Sequence, residues 1–159
     1  MVKIIKCSKK DIPKILELAR NFIEEYRKLT KIKPKVTVNS ALKFKKKIFE
    51  KDFKSGKGAV FAIEKDSQYI GYIFVLTFTP GMEKASKFSP AYISDLHIEK
   101  SFRRKGFAKK LIKEAEKWAK SKNKKEISLD VGTFNKRAIN LYKKSKFQDK
   151  SIKLEKKLE

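Results

Sequence analysis

The chain is poor in the residues that build disulfides and metal sites. It has one cysteine, Cys7, and one histidine, His97, among 159 residues. One thiol cannot close an internal disulfide, and Cys7, in a segment that reads as a strand, is expected to fill core space. One His and one Cys offer no zinc ligand set. They also offer no Ser–His–Asp arrangement beyond chance. No apolar run is long enough to span a bilayer, and the N-terminus lacks a signal-peptide pattern, so a cytoplasmic location is expected. Internal repeats and Ser- or Gly-rich linkers are missing. With 40% hydrophobic residues, the sequence is expected to form one globular domain over residues 1–159, not a disordered tail.

Acidic residues are also scarce: 18 Asp and Glu stand against 42 Lys and Arg, for a net charge of +24. Of the basic residues, 37 are Lys and five are Arg. They are spread along the chain, whereas a dedicated nucleic-acid surface clusters charge and uses Arg for specific contacts. A Lys-biased composition, of the kind common in heat-adapted proteins, accounts for the excess. Attraction to an anionic partner (a cofactor, an acidic substrate or RNA) is the second reading, and the two are compatible.

Periodicity gives the order of elements. Val2–Cys7 reads as a strand. Asp11 and Pro13 signal a helix whose apolar face is Ile12, Ile15, Leu16, Ala19, Phe22, Ile23 and Tyr26. Residues 31–39 read as a connection, and a second helix as about Asn39 to Phe53. Ala59–Glu64 and Tyr69–Phe78 form a hairpin about Asp66-Ser67. Residues 79–90 read as an exposed loop. A strand over 91–98 leads to a helix over about Lys105–Lys122, a strand over Glu126–Val131 and a helix over Asn135–Ser145. Ile152–Leu158 alternates apolar and charged residues and is expected to be an edge strand. A hairpin mixed with strand–helix–strand crossovers implies an α/β fold with a mixed sheet covered by helices on both faces.

One junction carries chemistry. The run Ala91-Tyr92-Ile93-Ser94-Asp95-Leu96-His97-Ile98 gives way to Arg103-Arg104-Lys105-Gly106-Phe107-Ala108 and then to an amphipathic segment. The first N–H groups of a helix lack internal partners and sit at the positive end of its dipole. Gly106 and Ala108 leave room for a polyanion to approach the backbone, and the three basic side chains add charge. A solvated basic helix start would look the same in isolation. Lys109 and Lys110 follow on a face that reads as solvated, although either is placed to reach a further phosphate.

The Arg-x-x-Gly-x-Ala spacing after Asp95-Leu96-His97-Ile98 resembles the acetyl-CoA pyrophosphate loop of the GNAT N-acetyltransferase superfamily. Leu129-Asp130-Val131-Gly132-Thr133-Phe134-Asn135, with Ala138, Tyr142 and Phe147, resembles that family's later strand–helix unit. Lys146-Phe147 stands where the family has Gly-Phe. The resemblance implies a mostly antiparallel sheet, splayed between the 91–98 and 126–131 strands where pantetheine inserts. It implies acetyl-CoA as cosubstrate and no metal. It implies backbone contacts from Leu96, His97 and Ile98 to pantetheine, and from Arg103, Arg104, Lys105, Gly106, Phe107 and Ala108 to the pyrophosphate.

It further implies a cofactor contact from Asn135, which is also suited to cap its helix. Tyr142, two turns beyond, corresponds to the proton donor to the departing sulfur, and a phenol stays protonated at neutral pH. Asp130 lies where some amino-terminal acetyltransferases of the family carry a Glu base. Asp95 is a second candidate. Ser94 stands where many relatives have another Glu. His97 reads as a substrate-side or surface residue. The expected activity is acetyl transfer to a primary amine, of a peptide or protein N-terminus or of a small molecule, in a ternary complex, by a monomer or homodimer. The rival reading is a basic RNA-binding module without that activity. Even for the enzyme, weak non-specific nucleic-acid binding is expected from the charge.

Overall fold

The structure is a computed structural model, and it describes residues 1–30, 35–81, 89–156 and 158. Strand β1 (Val2–Lys6) leads to helix α1 (Ile12–Thr30) and helix α2 (Val38–Ser55). Then come β2 (Gly58–Lys65), β3 (Gln68–Leu76) and β4 (Ala91–Ile98). Helix α3 (Phe107–Ser121), strand β5 (Ile127–Ser128) and helix α4 (Lys136–Lys144) complete the order. The sheet has five strands in the order β1-β2-β3-β4-β5. The first four pair antiparallel, and β5 joins β4 in parallel across the α3 crossover. The mixed, mostly antiparallel sheet expected from the sequence is therefore present.

The apolar runs of β2 and β3 are continuous because both faces of the sheet are covered. Phe61, Ile63, Ile73 and Val75 pack with Leu111, Ile112, Ala115 and Trp118 of α3. Val60, Ala62, Tyr72 and Phe74 alternate with them and pack against Ile15, Ala19 and Phe49 of α1 and α2. Tyr72, Phe49 and Ile15 are fully buried. Cys7 lies just past β1 as a buried free thiol and donates its N–H to the Val60 carbonyl at 2.8 Å.

Local signals set most boundaries. Ser8 donates its N–H to the Asp11 carboxylate at 2.8 Å ahead of α1. Thr37 Oγ1 caps α2 by accepting from the Ser40 N–H at 3.1 Å, and Gly56 ends it at φ +67°. Asp66 and Ser67 both take positive φ, 48° and 65°, the geometry that matches the twist of a tight hairpin.

Three expectations need correction. Ile152–Leu158 forms no edge strand among its described residues; Ile152, Leu154 and Leu158 are 84%, 88% and 85% exposed. Alternation supplies a strand only where a neighbour offers backbone partners and an apolar face to cover. The strand expected over Glu126–Val131 contracts to Ile127–Ser128. In α1, Leu18 takes a buried place, while Phe22 and Tyr26 turn out of the core. The connection over 31–39 and the loop over 79–90 lie partly outside the described residues.

Strand β4 carries the feature that matters for function. Phe74 pairs with Asp95 and Val75 with Ile93, so exposed Ser94 is skipped as a bulge. A bulge bends its strand and sharpens its twist. The ladder with β5 is confined to Ala91–Ile127 and Tyr92–Ser128. Beyond Tyr92 the β4 edge that faces β5 has no strand partner among the described residues.

On the other edge of β4, Gly71 lets β3 lie close against it. A Cβ there would come within 2.5 Å of Ile98 Cδ1 and 2.7 Å of the His97 carbonyl oxygen. Gly71→Ala is therefore expected to lower unfolding free energy by about 1–3 kcal/mol, the usual range for overpacking. Urea denaturation measures this, and an unchanged midpoint would contradict the close approach.

Candidate active site

The uncovered edge of β4 opens into a cavity of about 400 Å³. Leu96, His97 and Ile98 line it, as do Arg103, Arg104, Gly106, Phe107, Ala108 and Lys109 from the turn and the start of α3. Asn135, Arg137, Ala138, Leu141 and Tyr142 close it from the α4 side, and Phe22, Glu25, Tyr26 and Leu29 of α1 from the other. Eleven of the twelve residues named from the sequence as catalytic or cofactor-contacting are thus accounted for here or on the adjoining turn. Lys105 belongs to the turn but does not line the cavity; its ammonium lies 5.5 Å from the centre of the Phe102 ring. The twelfth, Asp130, lies on the exposed surface after β5.

The turn is shaped to receive an anion. Arg104 and Gly106 both have left-handed backbone, φ 66° and 79°. Alternating conformations of this kind make a concave array of N–H groups. Gly106 precedes α3 without any side-chain cap, and the first backbone bond of the helix is Lys110 N–H to the Gly106 carbonyl at 3.2 Å. The N–H groups of Phe107, Ala108 and Lys109 therefore have no partner within the helix. A Cβ on Gly106 would meet nothing within 4 Å, so the turn faces open space. These features fit a pyrophosphate. Lys109 lines the cavity, whereas Lys110 lies 5.8 Å from the centre of the Phe107 ring.

Arg103 is engaged differently from its neighbours. Its Nε donates to the Ile98 carbonyl at 2.8 Å, and its Nη1 and Nη2 donate to the two carboxylate oxygens of Glu25. Arg137 Nη2 donates to the same carboxylate at 3.0 Å. Burial opposes the charged form of Glu25, but the hydrogen bonds from Arg103 and Arg137 overcome it and bring its pKa down to about 2. Glu25 and Arg137 escape a sequence reading. The available signal is a carboxylate set into the stripe Phe22, Tyr26, Leu29 on one helix face.

Asn135 Oδ1 accepts from the Ala138 N–H at 3.2 Å, so it caps α4 as well as lining the cavity. Tyr142 is half-buried with its ring edge-on to Phe147 at 5.6 Å. Burial, then the nearby Asp95 charge, push its phenol up to about 12. Asp95 is buried and already engaged: its Oδ2 accepts from Lys45 Nζ at 2.6 Å and from the Tyr72 hydroxyl at 3.1 Å. That arrangement ties β4 to α2 and β3.

Asp130 Oδ2 accepts from the Tyr92 hydroxyl at 3.0 Å. His97 is buried, not at the surface. Its Nε2 has no hydrogen-bond partner of ordinary geometry, although Glu99 Oε1 lies 3.5 Å away. Burial holds this imidazole below its usual pKa, outweighing the raising effect of Glu99. Among the described residues, no group of three or more His, Cys, Asp or Glu is placed to hold a metal ion.

The model of the acetyltransferase (GNAT) family matches residues 19–147. The chain belongs to the GNAT acetyltransferase family. It is an acetyltransferase with acetyl-CoA as cosubstrate. Solved structures agree on the fold. A predicted acetyltransferase of Clostridium acetobutylicum, solved with acetyl-CoA, is similar at 22% identity and TM-score 0.75, over 99% of this chain and 96% of that one. A GCN5-related N-acetyltransferase of Ralstonia eutropha is similar at 12% identity and TM-score 0.76, over 99% of each chain. The aminoglycoside N-acetyltransferase AAC(6')-Iy, in complex with CoA, is similar at 17% identity and TM-score 0.74, over 99% and 95%.

The depressed pKa of Glu25 fixes the sign of a pH effect. A carboxyl whose folded pKa lies below its unfolded value stabilises the fold above the unfolded value and loses that contribution on acidification. The stability of the native chain relative to Glu25→Gln should therefore be greatest above pH 4.5 and disappear as pH falls toward about 2. Denaturant midpoints across this window check it, and a difference independent of pH would contradict it.

Proposed function

We propose that this acetyltransferase moves the acetyl group of acetyl-CoA onto a primary amine by direct attack in a ternary complex. The acceptor is the amine of a peptide or protein N-terminus or of a small molecule. One observation carries the reading: the strandless edge of β4 and the uncapped start of α3 open into the same cavity as Tyr142. Backbone groups of Leu96, His97 and Ile98 then hold the pantetheine arm, and the N–H groups of residues 104–108 hold the pyrophosphate. Asn135 steadies the α4 side.

In the transfer, the amine nitrogen bonds to the thioester carbon, the C–S bond breaks, and the sulfur takes a proton from the Tyr142 hydroxyl. A phenol pushed up to about 12 keeps its proton at neutral pH and is available as this donor. Asp130 takes up the amine's proton, with water bridging from its exposed carboxylate. A polyamine is disfavoured as acceptor, because a chain of net charge +24 repels a polycation. The same field attracts nucleic acid weakly and without sequence preference. Nothing observed supports the chain as an RNA-binding module without activity. Among the described residues no helix is long and apolar enough to cross a membrane, and a cytoplasmic enzyme acting as one domain, monomeric or homodimeric, is in keeping with this reading.

Tyr142→Phe removes one hydroxyl and keeps the ring against Phe147. It is expected to lower kcat by about 10²–10⁴-fold while leaving CoA affinity nearly unchanged. Wild-type turnover, with chemistry rate-limiting, would make Tyr142 a packing residue.

Asp130→Asn should lower kcat/KM most near neutral pH. The deficit should shrink as pH approaches the acceptor amine's own pKa, where the amine is already deprotonated. A deficit constant with pH would argue against Asp130 as the proton acceptor.

Gly106→Glu should weaken CoA binding by about tenfold or more, because it adds charge and a side chain where the phosphates lie. Gly106→Asn tolerates the left-handed backbone and separates strain from charge. Calorimetry showing equal CoA affinity for a folded Gly106→Glu chain would sink the assignment of the turn.

A further inference from the structure

Glu25 is an anion on the wall of a cavity read as the seat of a polyanion. Placed alone there it would repel the cofactor. It is not alone: the Arg103–Glu25–Arg137 cluster joins three separate elements. Oε1 accepts from Arg103 Nη1 at 2.9 Å and from Arg137 Nη2 at 3.0 Å, while Oε2 accepts from Arg103 Nη2. Arg103 is also tied through Nε to the carbonyl of Ile98, the last residue of β4. The side chains of Arg103 and Glu25 are 17% and 19% exposed, so water screens their pairing less than it screens a surface ion pair.

A second contact runs beside the first. The ring of Tyr26, the residue after Glu25, meets that of Phe134 edge-on at 5.8 Å. Phe134 immediately precedes the cap of α4. Thus α1 grips both the turn before α3 and the start of α4, on the two sides of the cavity beside β4. Without the carboxylate, two guanidinium groups would face one another across that gap and push its walls apart.

We infer that Glu25 is a positioning residue of the cofactor cleft, bracing Arg103 and Arg137 so that the 103–108 turn and the start of α4 stand ready for acetyl-CoA. Its net effect on cofactor binding is favourable in spite of its charge, because the order it imposes on the turn outweighs its repulsion of the phosphates. The inference rests on the assignment of the cavity to acetyl-CoA.

The test uses the full chain and Glu25→Gln, which keeps the size of the side chain and removes its charge. CoA affinity by calorimetry, and KM for acetyl-CoA, should worsen by about tenfold, the worth of one charge-assisted hydrogen bond. At saturating acetyl-CoA, kcat should stay within about threefold, since Glu25 takes no part in chemistry. A merely structural role would lower the amount of active enzyme and leave KM unchanged. If Glu25 acts through Arg103, adding Glu25→Gln to Arg103→Gln should worsen affinity by less than about twofold.

Unchanged affinity in Glu25→Gln, tighter binding, or full additivity with Arg103→Gln would each overturn the inference while leaving the cavity assignment intact. A native chain that binds no CoA would overturn both. Should Glu25→Gln fail to fold, Arg137→Gln probes the same brace from a guanidinium that is 55% exposed. A raised KM for acetyl-CoA is expected there, and an unchanged KM would overturn the inference.

Discussion

A strand that loses its neighbour after its first two residues is the constraint around which this molecule is arranged. Backbone N–H and C=O groups buried without partners are costly, so a sheet interior normally has no such edge. Here β4 pairs with β5 through only two residue pairs and then runs on to Ile98 without it. The edge is tolerable because it faces a cavity that a ligand with amide groups can fill. In the function proposed above, pantetheine is that ligand. The bulge at Ser94, the shortness of β5 and the outward turn of Phe22 and Tyr26 all serve that gap.

The walls are built by different means. On one side, left-handed backbone at Arg104 and Gly106 aims the turn at the cavity. Left-handed φ is unfavourable for Arg, and strain of this sort persists where the surroundings fix it. Arg103, held by the Ile98 carbonyl and by Glu25, is part of that fixing. On the other side, Asn135 fixes the start of α4, and Tyr142 lies two turns along with its phenol shielded from water. Asp95 joins Lys45 to Tyr72 and so ties β4 to α2 and β3. Much of the Lys lies elsewhere, as in the surface pair Lys46–Glu50. With 18 acids for 42 bases, the surplus forms a diffuse field and not a site.

Much of this was legible in the sequence, for reasons that can be named. The unbroken apolar runs of β2 and β3 announced strands covered on both faces, and Asp66-Ser67 announced their turn. The basic glycine turn after a strand marked the stretch that lines the cavity, and Asn135 announced a cap. What stayed hidden was non-local. Apolar spacing put Phe22 and Tyr26 in the core, because periodicity tells which face of a helix is apolar and not whether a protein layer or a cavity lies over it. Glu25 read as one more surface carboxylate, since its partners are 78 and 112 residues away. The alternation of Ile152–Leu158 lacked a strand to pair with, and no sequence pattern reveals that.

Amide hydrogen exchange with and without acetyl-CoA tests the central claim most directly. Exchange of a backbone N–H slows when a ligand takes its hydrogen bond or shields it. The account predicts that acetyl-CoA slows exchange chiefly at two places: Leu96–Ile98 on the open edge of β4, and residues 104–109 at the start of α3. Slowing confined to other segments, with these two unchanged, would contradict it.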